Sequence, residues 1–334
     1  MSRITKFSCI DGNTAGNPVR LVTSPAPNLF GKSMMEKRLH FIKEFDWIRK
    51  GLMFEPRGHD MMSGSFFFPP IDTANDVSVL FIETSGCLPM CGHGLIGTIT
   101  ILIEEKLISP KQKGTLRVET PAGLIIASYT QEAEKVTAVK FTNIASFLYA
   151  NDLEVEHPVL GNLKVDVAYG GNFYAIVDTQ KNFKGIEAYT AGNLIDLSIP
   201  LRKLVNELQE FIHPEDSNIK GCSHVLWAGK TIDKKATARN AVFYGNKAID
   251  RSPCGTGTSA RMAQWFSKNK LELGTAFIHE SIIGSKFIGT IEQKTTVGLF
   301  PAIFPSIEGS ALITGYNTIL IDSNDEYAEG FQII

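Results

Sequence analysis

The feature that most constrains this chain is a short motif, Cys-Gly-X-Gly, which occurs twice, at Cys91–Gly94 and at Cys254–Gly257. Matching residues occur around both copies in the same order. A Gly-Asn pair precedes each cysteine, and a glutamate follows each cysteine at a similar distance. These residues are Gly16-Asn17 and Glu119 for the first copy, and Gly171-Asn172 and Glu280 for the second. Three matches in one order predict an internal duplication into two related halves.

Each copy of the motif is predicted to open a helix that follows a strand. Val77–Ile82 is an apolar, β-branched run typical of a strand, and apolar residues with helical spacing follow between Leu95 and Ile103 until Pro110 stops the helix. The second copy repeats this order, since Asn240–Tyr244 is strand-like and a helix is predicted directly after Cys254.

Short β-rich runs surround both predicted helices. The fold class is therefore α/β (α+β), with each half predicted to be one central helix wrapped by a curled, mostly antiparallel sheet. A length of 334 residues suits two domains. We expect the first half over residues 1–160, with Cys91, and the second over residues 161–315, with Cys254. A C-terminal strand at about 316–334 is expected to pack back on the first half.

A cysteine at a helix N-terminus has specific chemistry. The unpaired N–H groups and the helix dipole stabilise a thiolate, so each thiol pKa is expected to fall from about 8.5 to between roughly 3.5 and 7.5. If the two helix ends face one another, a thiolate and a thiol flank a bound molecule. Backbone N–H groups can hold its carboxylate, namely those of Gly92, His93, Gly255 and Thr256. One thiol then removes a proton from a carbon and the other returns one to the opposite face, which inverts the configuration.

Composition restricts the partners of the protein. Lys+Arg number 33 and Asp+Glu 35, a net charge of −2, so no nucleic-acid partner is expected. The uncharged stretch Leu95–Ile103 is too short to cross a bilayer, and the first residues contain no long apolar segment, so neither a membrane nor secretion is expected. Five cysteines are too few for a disulfide scaffold and indicate a reducing compartment, the cytoplasm.

Over nearly its whole length the chain resembles the proline racemase family. The strings Met90-Cys-Gly-His-Gly94 and Asp250-Arg-Ser-Pro-Cys-Gly-Thr-Gly257 are highly specific to that family. Further matching strings are Glu55–Asp60, Val167–Asn172 and Pro305–Gly315. The resemblance implies a diaminopimelate-epimerase-like fold, an active site between the two halves, and neither a cofactor nor a metal.

The resemblance also implies roles by motif position. Cys91 and Cys254 are expected to be the acid/base thiols, and Asp250 to contact the substrate amine. Substrate binding is expected of Gly92, His93, Gly255 and Thr256. His224, on a strand-like run, is a candidate contact for a ring hydroxyl.

Two features narrow the expected reaction. The trans-3-hydroxyproline dehydratases of the family carry Thr at the second thiol position, so cysteine at both positions implies a racemase or epimerase. The stretches Leu88–Cys91 and Phe54–Met62 are most similar to the 4-hydroxyproline epimerases. The expected reaction is therefore the interconversion of trans-4-hydroxy-L-proline and cis-4-hydroxy-D-proline, with proline racemisation as the alternative and 3-hydroxyproline dehydration as a remoter one. Hydroxyproline or proline is the expected small-molecule partner, and a homodimer is the expected assembly.

Other interpretations are weaker. Gly92–Gly97 and Gly255–Ala260 fit the fingerprint of an NAD-dependent oxidoreductase, but they do not follow a strand directly as that fingerprint requires. Cys87, Cys91 and His93 could hold a metal, and two of the thiols could form a disulfide, although the spacing is not typical of zinc sites. An amino-acid-binding protein would not need two activated thiols.

The chain departs from the family pattern at two positions near these motifs. Asn13 stands where the family usually has His, which leaves the substrate range open. Leu95 replaces a commoner Thr and is expected to lie behind the site.

Overall fold

A computed structural model describes residues 4–333, which form two compact units. Unit 1 comprises the chain up to Phe141 together with the chain from Gly309 onward, and unit 2 is Thr142–Glu308. The boundaries expected from the sequence are 160/161 and 315/316. The difference at the first boundary arises because the strand Ser146–His157 pairs with the strand Gly161–Tyr169 inside unit 2. No helix within residues 4–333 has the length and apolarity that a membrane span requires.

The secondary structure is mainly strands. The helices are α1 (Met34–Glu44), α2 (Asp46–Met53), α3 (Gly92–Glu104), α4 (Ala191–Leu208) and α5 (Gly255–Ser267), with a 3-10 turn at Ile186–Ala188. The strands are β1 (Ile4–Thr14), β2 (Asn17–Ser24), β3 (Ser63–Phe68), β4 (Val77–Glu83), β5 (Thr115–Thr120), β6 (Gly123–Glu132), β7 (Lys135–Thr142), β8 (Ser146–His157), β9 (Gly161–Tyr169), β10 (Phe173–Val177), β11 (Ile212–His213), β12 (Asp216–Lys220), β13 (Cys222–Gly229), β14 (Ala238–Tyr244), β15 (Ala248–Ile249), β16 (Ala276–Glu280), β17 (Lys286–Val297), β18 (Phe300–Gly309) and β19 (Ala311–Asp322).

The strands of unit 1 form one mixed sheet. They pair in the order β19–β1–β2–β3–β4–β5–β6, and every adjacent pair is antiparallel except β2–β3 and β4–β5. A parallel pair needs a crossover connection, which α1 and α2 supply for β2–β3 and α3 supplies for β4–β5. The C-terminal strand β19 lies beside β1, with Ala311 opposite Thr14.

Unit 2 repeats this order of strand pairs, and its last strand also pairs with its first. Its strands pair in the order β8–β9–β10–β13–β14–β16–β17–β18, and β18 returns to β8 with Ala302 opposite Phe147, so the sheet forms a barrel. Only β10–β13 and β14–β16 in this series are parallel, and α4 and α5 lie in their crossovers. The two units thus share one order of parallel and antiparallel pairs, as the repeated motif predicts. The chain is a mixed α/β protein with a β-barrel and few helices.

The helices α3 and α5 are enclosed by the sheet of their own unit. α3 contacts β1, β2, β3 and β19, and α5 contacts β8, β9, β10 and β17. Every residue of α3 from Gly92 to Ile103 is buried, more than the one apolar face that the sequence predicts, because strands surround this helix. α5 instead buries polar side chains that find partners, since Arg261 pairs with Asp178 and the amide of Gln264 donates to Asp166.

The two glutamates matched in the sequence do the same structural task. The carboxylate of Glu119 accepts hydrogen bonds from the backbone N–H of Ile71 at 2.7 Å and from the next N–H at 2.8 Å, which fixes the β3–β4 connection. The carboxylate of Glu280 accepts in the same way from Ile232 at 2.7 Å and from the next N–H at 3.3 Å, which fixes the β13–β14 connection. The repeated glutamate therefore anchors a loop in each unit.

Candidate active site

Cys91 caps the N-terminus of α3. Its backbone is extended (φ −138°, ψ 109°), and its Sγ accepts a hydrogen bond from the N–H of Gly94 at 3.3 Å. The sulfur takes the place of the Ser or Asp oxygen that usually caps a helix. The residue is 4 % exposed. The prediction that Cys91 stands at a helix start is confirmed.

The second glycine of each motif is required by the position of the thiol. A Cβ atom at Gly94 would lie 2.8 Å from the Sγ of Cys91, and a Cβ atom at Gly257 would lie 3.1 Å from the Sγ of Cys254. A side chain at either glycine would therefore press against the thiol in its present position, more strongly at Gly94 than at Gly257. Gly97, the third glycine of the dinucleotide fingerprint, also has a packing reason, since a Cβ there would lie 2.9 Å from a side chain of β2.

Polar side chains surround the thiol of Cys91. Its Sγ lies 3.6 Å from Nδ1 and 3.8 Å from Nε2 of His93, and 3.8 Å from the Oγ of Ser63. The hydroxyl of Ser63 donates to the carboxylate of Glu83 at 3.2 Å. One ligand atom each from Glu83, Cys91 and His93 lies within 4.8 Å of the others. The side-chain amide of Asn17 contacts Nε2 of His93 at 3.0 Å.

The electrostatics of Cys91 differ from the sequence-based expectation. Burial raises the pKa of the Cys91 thiol well above its ordinary value, and the carboxylate of Glu83 raises it further. Hydrogen bonds from the N–H of Gly94 and from Ser63 lower this pKa, but by less than burial raises it. Burial also raises the pKa of Glu83 itself. The pKa of the Cys91 thiol thus moves in the direction opposite to the lowering expected at a helix N-terminus, because loss of hydration outweighs the hydrogen bonds from Gly94 and Ser63.

Sequence reasoning missed Glu83, although a signal was available. Glu83 ends a strand whose other residues are almost all apolar, and it is 2 % exposed. The metal interpretation named Cys87, Cys91 and His93, whereas the structure groups Glu83 with the latter two. Cys87 belongs to a hydrophobic cluster, and its backbone carbonyl accepts a hydrogen bond from Nε of Arg38 at 2.6 Å.

Cys254 caps α5 in a related but not identical way. Its φ of 66° lies in the left-handed region, and its Sγ accepts from the N–H of Gly257 at 3.4 Å. The Sγ lies 3.3 Å from the hydroxyl of Tyr174 and 3.8 Å from that of Thr256, and these two hydroxyls are 2.5 Å apart. Burial raises the pKa of the Cys254 thiol to about 12, with a further rise from Asp250 and a partial offset from Tyr174. A non-glycine residue held in this backbone conformation is typical of functional sites.

The residues before Cys254 form a tight polar turn. The backbone N–H of Ser252 donates to Asp250 Oδ1 at 2.7 Å, and the N–H of Cys254 donates to the Oγ of Ser252 at 3.1 Å. Asp250 is 2 % exposed. Asp250, Cys254, Gly255 and Thr256 are neighbours in the chain, and the structure places Cys254 as the N-cap of α5 with Gly255 and Thr256 as its first residues.

His224 lies beside Tyr174, whose hydroxyl contacts the thiol of Cys254. The strands β10 and β13 run parallel with Tyr174 opposite His224, and the two ring centroids are 4.7 Å apart. Nδ1 of His224 lies 2.7 Å from the Oγ of Ser223. Burial lowers the pKa of His224 to about 3, so the imidazole is neutral at pH 7. Tyr174 itself was missed, because only the strand pairing places this hydroxyl beside the thiol.

The structure shows the local contacts of Asn13 and Leu95, the two departures from the family pattern. Asn13 lies at the end of β1, and its Oδ1 accepts a hydrogen bond from the N–H of Gly16 at 2.7 Å across the turn to β2. Leu95 is fully buried in α3.

Comparison with known proteins gives consistent results. The sequence model described as "Proline racemase" matches residues 9–332. A 4-hydroxyproline 2-epimerase of Spirosoma linguale is 63% identical over 329 residues, which is 98% of each chain. A 4-hydroxyproline 2-epimerase of Ancylobacter novellus is 58% identical over 328 residues, again 98% of each chain.

Among solved structures, a hydroxyproline epimerase from Agrobacterium vitis with bound trans-4-hydroxy-L-proline superposes with a TM-score of 0.90 at 25% identity, covering 98% of this chain and 95% of that one. A probable proline racemase from Agrobacterium radiobacter K84 gives a TM-score of 0.89 at 28% identity, covering 98% and 96%. Motifs, topology and these matches agree, and the chain belongs to the proline racemase family.

Proposed function

We propose that this protein is a 4-hydroxyproline 2-epimerase, an isomerase that inverts the α-carbon of trans-4-hydroxy-L-proline to give cis-4-hydroxy-D-proline. The observation that carries the proposal is the pair of buried, helix-capping thiols in a chain that is 63% identical over 98% of its length to a 4-hydroxyproline 2-epimerase. The related epimerase of Agrobacterium vitis, with trans-4-hydroxy-L-proline bound, supports the same substrate.

The mechanism we propose uses Cys91 and Cys254 as the acid/base pair and needs no cofactor. In one direction the first thiolate removes the α-proton and the second thiol donates a proton to the opposite face, and in the reverse direction the roles exchange. The first N–H groups of an α-helix have no intrahelical acceptor. Those of Gly92, His93, Gly255 and Thr256 are proposed to hold the substrate carboxylate and to stabilise the enediolate that develops from it.

Asp250 is proposed to bind the substrate amine. Its buried carboxylate raises the pKa of the Cys254 thiol, which opposes ionisation of that thiol. A bound secondary ammonium would neutralise this effect and place a positive charge near the sulfur, and both changes lower a thiol pKa. Ionisation of Cys254 is thus coupled to the presence of substrate. On the side of Cys91, Glu83 opposes ionisation in the same way.

His224 is proposed to hydrogen-bond the ring hydroxyl, through the neutral imidazole that its lowered pKa ensures. A site built for a hydroxyl rejects the analogue that lacks it by a large factor, since a buried polar group is otherwise left unpaired. His224→Leu is therefore expected to reduce kcat/KM for trans-4-hydroxy-L-proline but not for L-proline. An equal loss on both substrates would contradict this role.

The test of the function is a polarimetric assay of the purified protein. L-proline, trans-4-hydroxy-L-proline and trans-3-hydroxy-L-proline distinguish a proline racemase, a 4-hydroxyproline epimerase and a 3-hydroxyproline dehydratase, and an NAD(H)-binding titration tests the oxidoreductase interpretation. We expect inversion of trans-4-hydroxy-L-proline with the highest kcat/KM. No turnover of that substrate would overturn the proposal.

The test of the mechanism is isotope incorporation with cysteine variants. In deuterated water the product should carry deuterium at the α-carbon, because the proton that returns comes from a thiol in exchange with solvent. Cys91→Ser and Cys254→Ser should each reduce inversion by at least about 10³-fold, and Cys222→Ala, which changes a buried thiol outside the motifs, is the matched control. Label-free product, or inversion that survives loss of one thiol, would exclude a two-thiol route.

The finer assignments of fold, assembly and location are also proposals. The shared strand order of the two units supports a diaminopimelate-epimerase-like fold with two related halves. A homodimer is testable by light scattering of the purified protein. A cytoplasmic location fits five cysteines that are all free and a mechanism that needs reduced thiols.

A further inference from the structure

We propose that Glu83, Cys91 and His93 form a binding site for one thiophilic divalent cation of the zinc type, and that its occupation inhibits the enzyme. Binding of the metal is independent of the proposed function, whereas the inhibitory effect rests on it. Within residues 4–333 this is the one group of three or more His, Cys, Asp or Glu whose ligand atoms all lie within 4.8 Å of one another.

The donor set and its spacing suit zinc. Thiolate, imidazole and carboxylate are its three usual protein ligands, at about 2.3 Å for sulfur and about 2.0–2.2 Å for nitrogen and oxygen. Two such ligands at a tetrahedral angle stand about 3.6 Å apart when one is sulfur and the other nitrogen. The observed distance from Cys91 Sγ to His93 Nδ1 is 3.6 Å. The cation would therefore enter with little rearrangement of these two side chains.

Neighbouring polar groups already orient the three ligands. Ser63 donates to the Glu83 carboxylate at 3.2 Å and Ser85 donates at 3.1 Å. The amide of Asn17 contacts Nε2 of His93 at 3.0 Å, and Nδ1 is the ring nitrogen nearer to the sulfur, at 3.6 Å against 3.8 Å for Nε2. Ligating side chains in metal sites are held by such outer partners. Three protein ligands leave a fourth position for water, as in zinc sites that keep an open coordination position.

The second thiol lacks this donor set. The hydroxyls of Tyr174 and Thr256 lie 3.3 Å and 3.8 Å from the sulfur of Cys254, and the carboxylate of Asp250 also acts on this thiol. Among residues 4–333, however, no two further His, Cys, Asp or Glu side chains complete a three-ligand group with Cys254. Neutral hydroxyls are poor ligands for zinc compared with imidazole and carboxylate. The two thiols, although both cap helices, should therefore differ in metal binding, and this difference makes the proposal specific.

The chemical step is a ligand exchange without redox change. The S–H bond of Cys91 breaks, its proton passes to solvent, the sulfur lone pair binds the cation, and the cation releases waters to make room for sulfur, nitrogen and oxygen. A metal-bound thiolate can neither accept the α-proton nor donate one. Inhibition should consequently affect both directions of the reaction, and a chelator should reverse it while leaving the rate of metal-free enzyme unchanged.

The experiment is a titration of the metal-free protein with Co²⁺ as a spectroscopic probe, in the absence of substrate. We expect one equivalent to bind, with a near-ultraviolet thiolate-to-cobalt absorption and visible bands of tetrahedral cobalt, and Zn²⁺ to displace it. Cys91→Ser should abolish the thiolate absorption, and Glu83→Gln should weaken Co²⁺ binding at least tenfold. Cys254→Ser is the matched control and should retain the spectrum.

Each outcome decides the proposal. Absence of the thiolate band, or its loss in Cys254→Ser with retention in Cys91→Ser, would overturn the site. In the activity arm, one equivalent of Zn²⁺ should lower the rate at least tenfold, and EDTA should restore it. Full activity with Zn²⁺ bound would overturn the inhibitory role alone. If the protein inverts none of the substrates, the proposed function fails, while the cobalt spectrum still judges the metal site.

Discussion

Replacing Gly94 by alanine tests whether catalysis depends on the position of the Cys91 sulfur. Gly94 is the third residue of α3, its N–H donates to that sulfur at 3.3 Å, and its φ is not among the positive values that only glycine adopts easily. Alanine can therefore take the backbone conformation and keep the N–H. The main steric consequence is a methyl group placed against the thiol.

The size of the effect follows from the distances. The added Cβ would lie 2.8 Å from the sulfur, whereas non-bonded heavy atoms settle at about 3.5–4.0 Å, so the sulfur must retreat by about 1 Å. A displacement of about 1 Å at a reacting group reduces the rate about 10²-fold, which corresponds to about 2.7 kcal/mol of activation free energy. Alanine also favours the helix over glycine by up to about 1 kcal/mol, which offsets strain in the folded state.

The assay compares initial rates of epimerisation with thermal unfolding of the same samples. For Gly94→Ala we expect kcat to fall about 10²-fold with a Tm within a few degrees of the parent. Gly192→Ala in α4 is the matched control, since that glycine is also near a helix N-terminus, and an added Cβ would meet nothing closer than 3.8 Å. Gly257→Ala should have a smaller effect than Gly94→Ala, because its Cβ would stand 3.1 Å from the Cys254 sulfur.

Near-normal turnover by a folded Gly94→Ala variant would contradict this prediction. If Gly94→Ala kept kcat within threefold of the parent while folding normally, then the position of the Cys91 sulfur would not limit the reaction. A crystal structure of the variant with the thiol displaced would then show that the displacement itself is harmless.

Other predictions concern stability and the second thiol. Hydrogen bonds outweigh burial and hold the pKa of Glu119 below its usual range, so its stabilisation is present above the unfolded pKa and is lost as pH falls through the folded one. In urea unfolding at a series of pH values, Glu119→Gln should lose less unfolding free energy on acidification than the parent. Glu280→Gln is the comparison, because it removes the equivalent loop anchor of the other unit. Burial lowers the pKa of His279 to about 3, so the unfolded state binds more protons between pH 6.5 and 3 and stability falls on acidification. His279→Asn should reduce that slope by at most about 1.4 kcal/mol per pH unit, and an unchanged slope would contradict the assignment. Tyr174→Phe should slow alkylation of Cys254 by iodoacetamide at pH 8, followed by mass spectrometry, because the hydroxyl lowers that thiol pKa. Equal alkylation rates would show that the hydroxyl does not stabilise the thiolate.

Local sequence was sufficient for the parts of the site that depend on local backbone. A thiol followed by Gly-X-Gly at a helix start can accept the N–H of the third helical residue, and both Cys91 and Cys254 do so, although their φ angles differ. The sequence also predicted the duplication. The matched glutamates Glu119 and Glu280 anchor equivalent loops in the two units. The family motifs added the reaction class.

The amino-acid sequence alone determined the two helix starts, the repeated order of elements and the identity of the thiols, since each depends on residues close together in the chain. The surroundings of each sulfur follow from contacts between residues that are far apart in the chain. Glu83 and Tyr174 reach the two thiols through strand pairing and packing, and burial by those strands raises thiol pKa values that an isolated helix N-terminus would lower. The hydration that a thiol loses depends on how completely distant parts of the chain bury it. The residues next to the thiol in the sequence do not determine that burial.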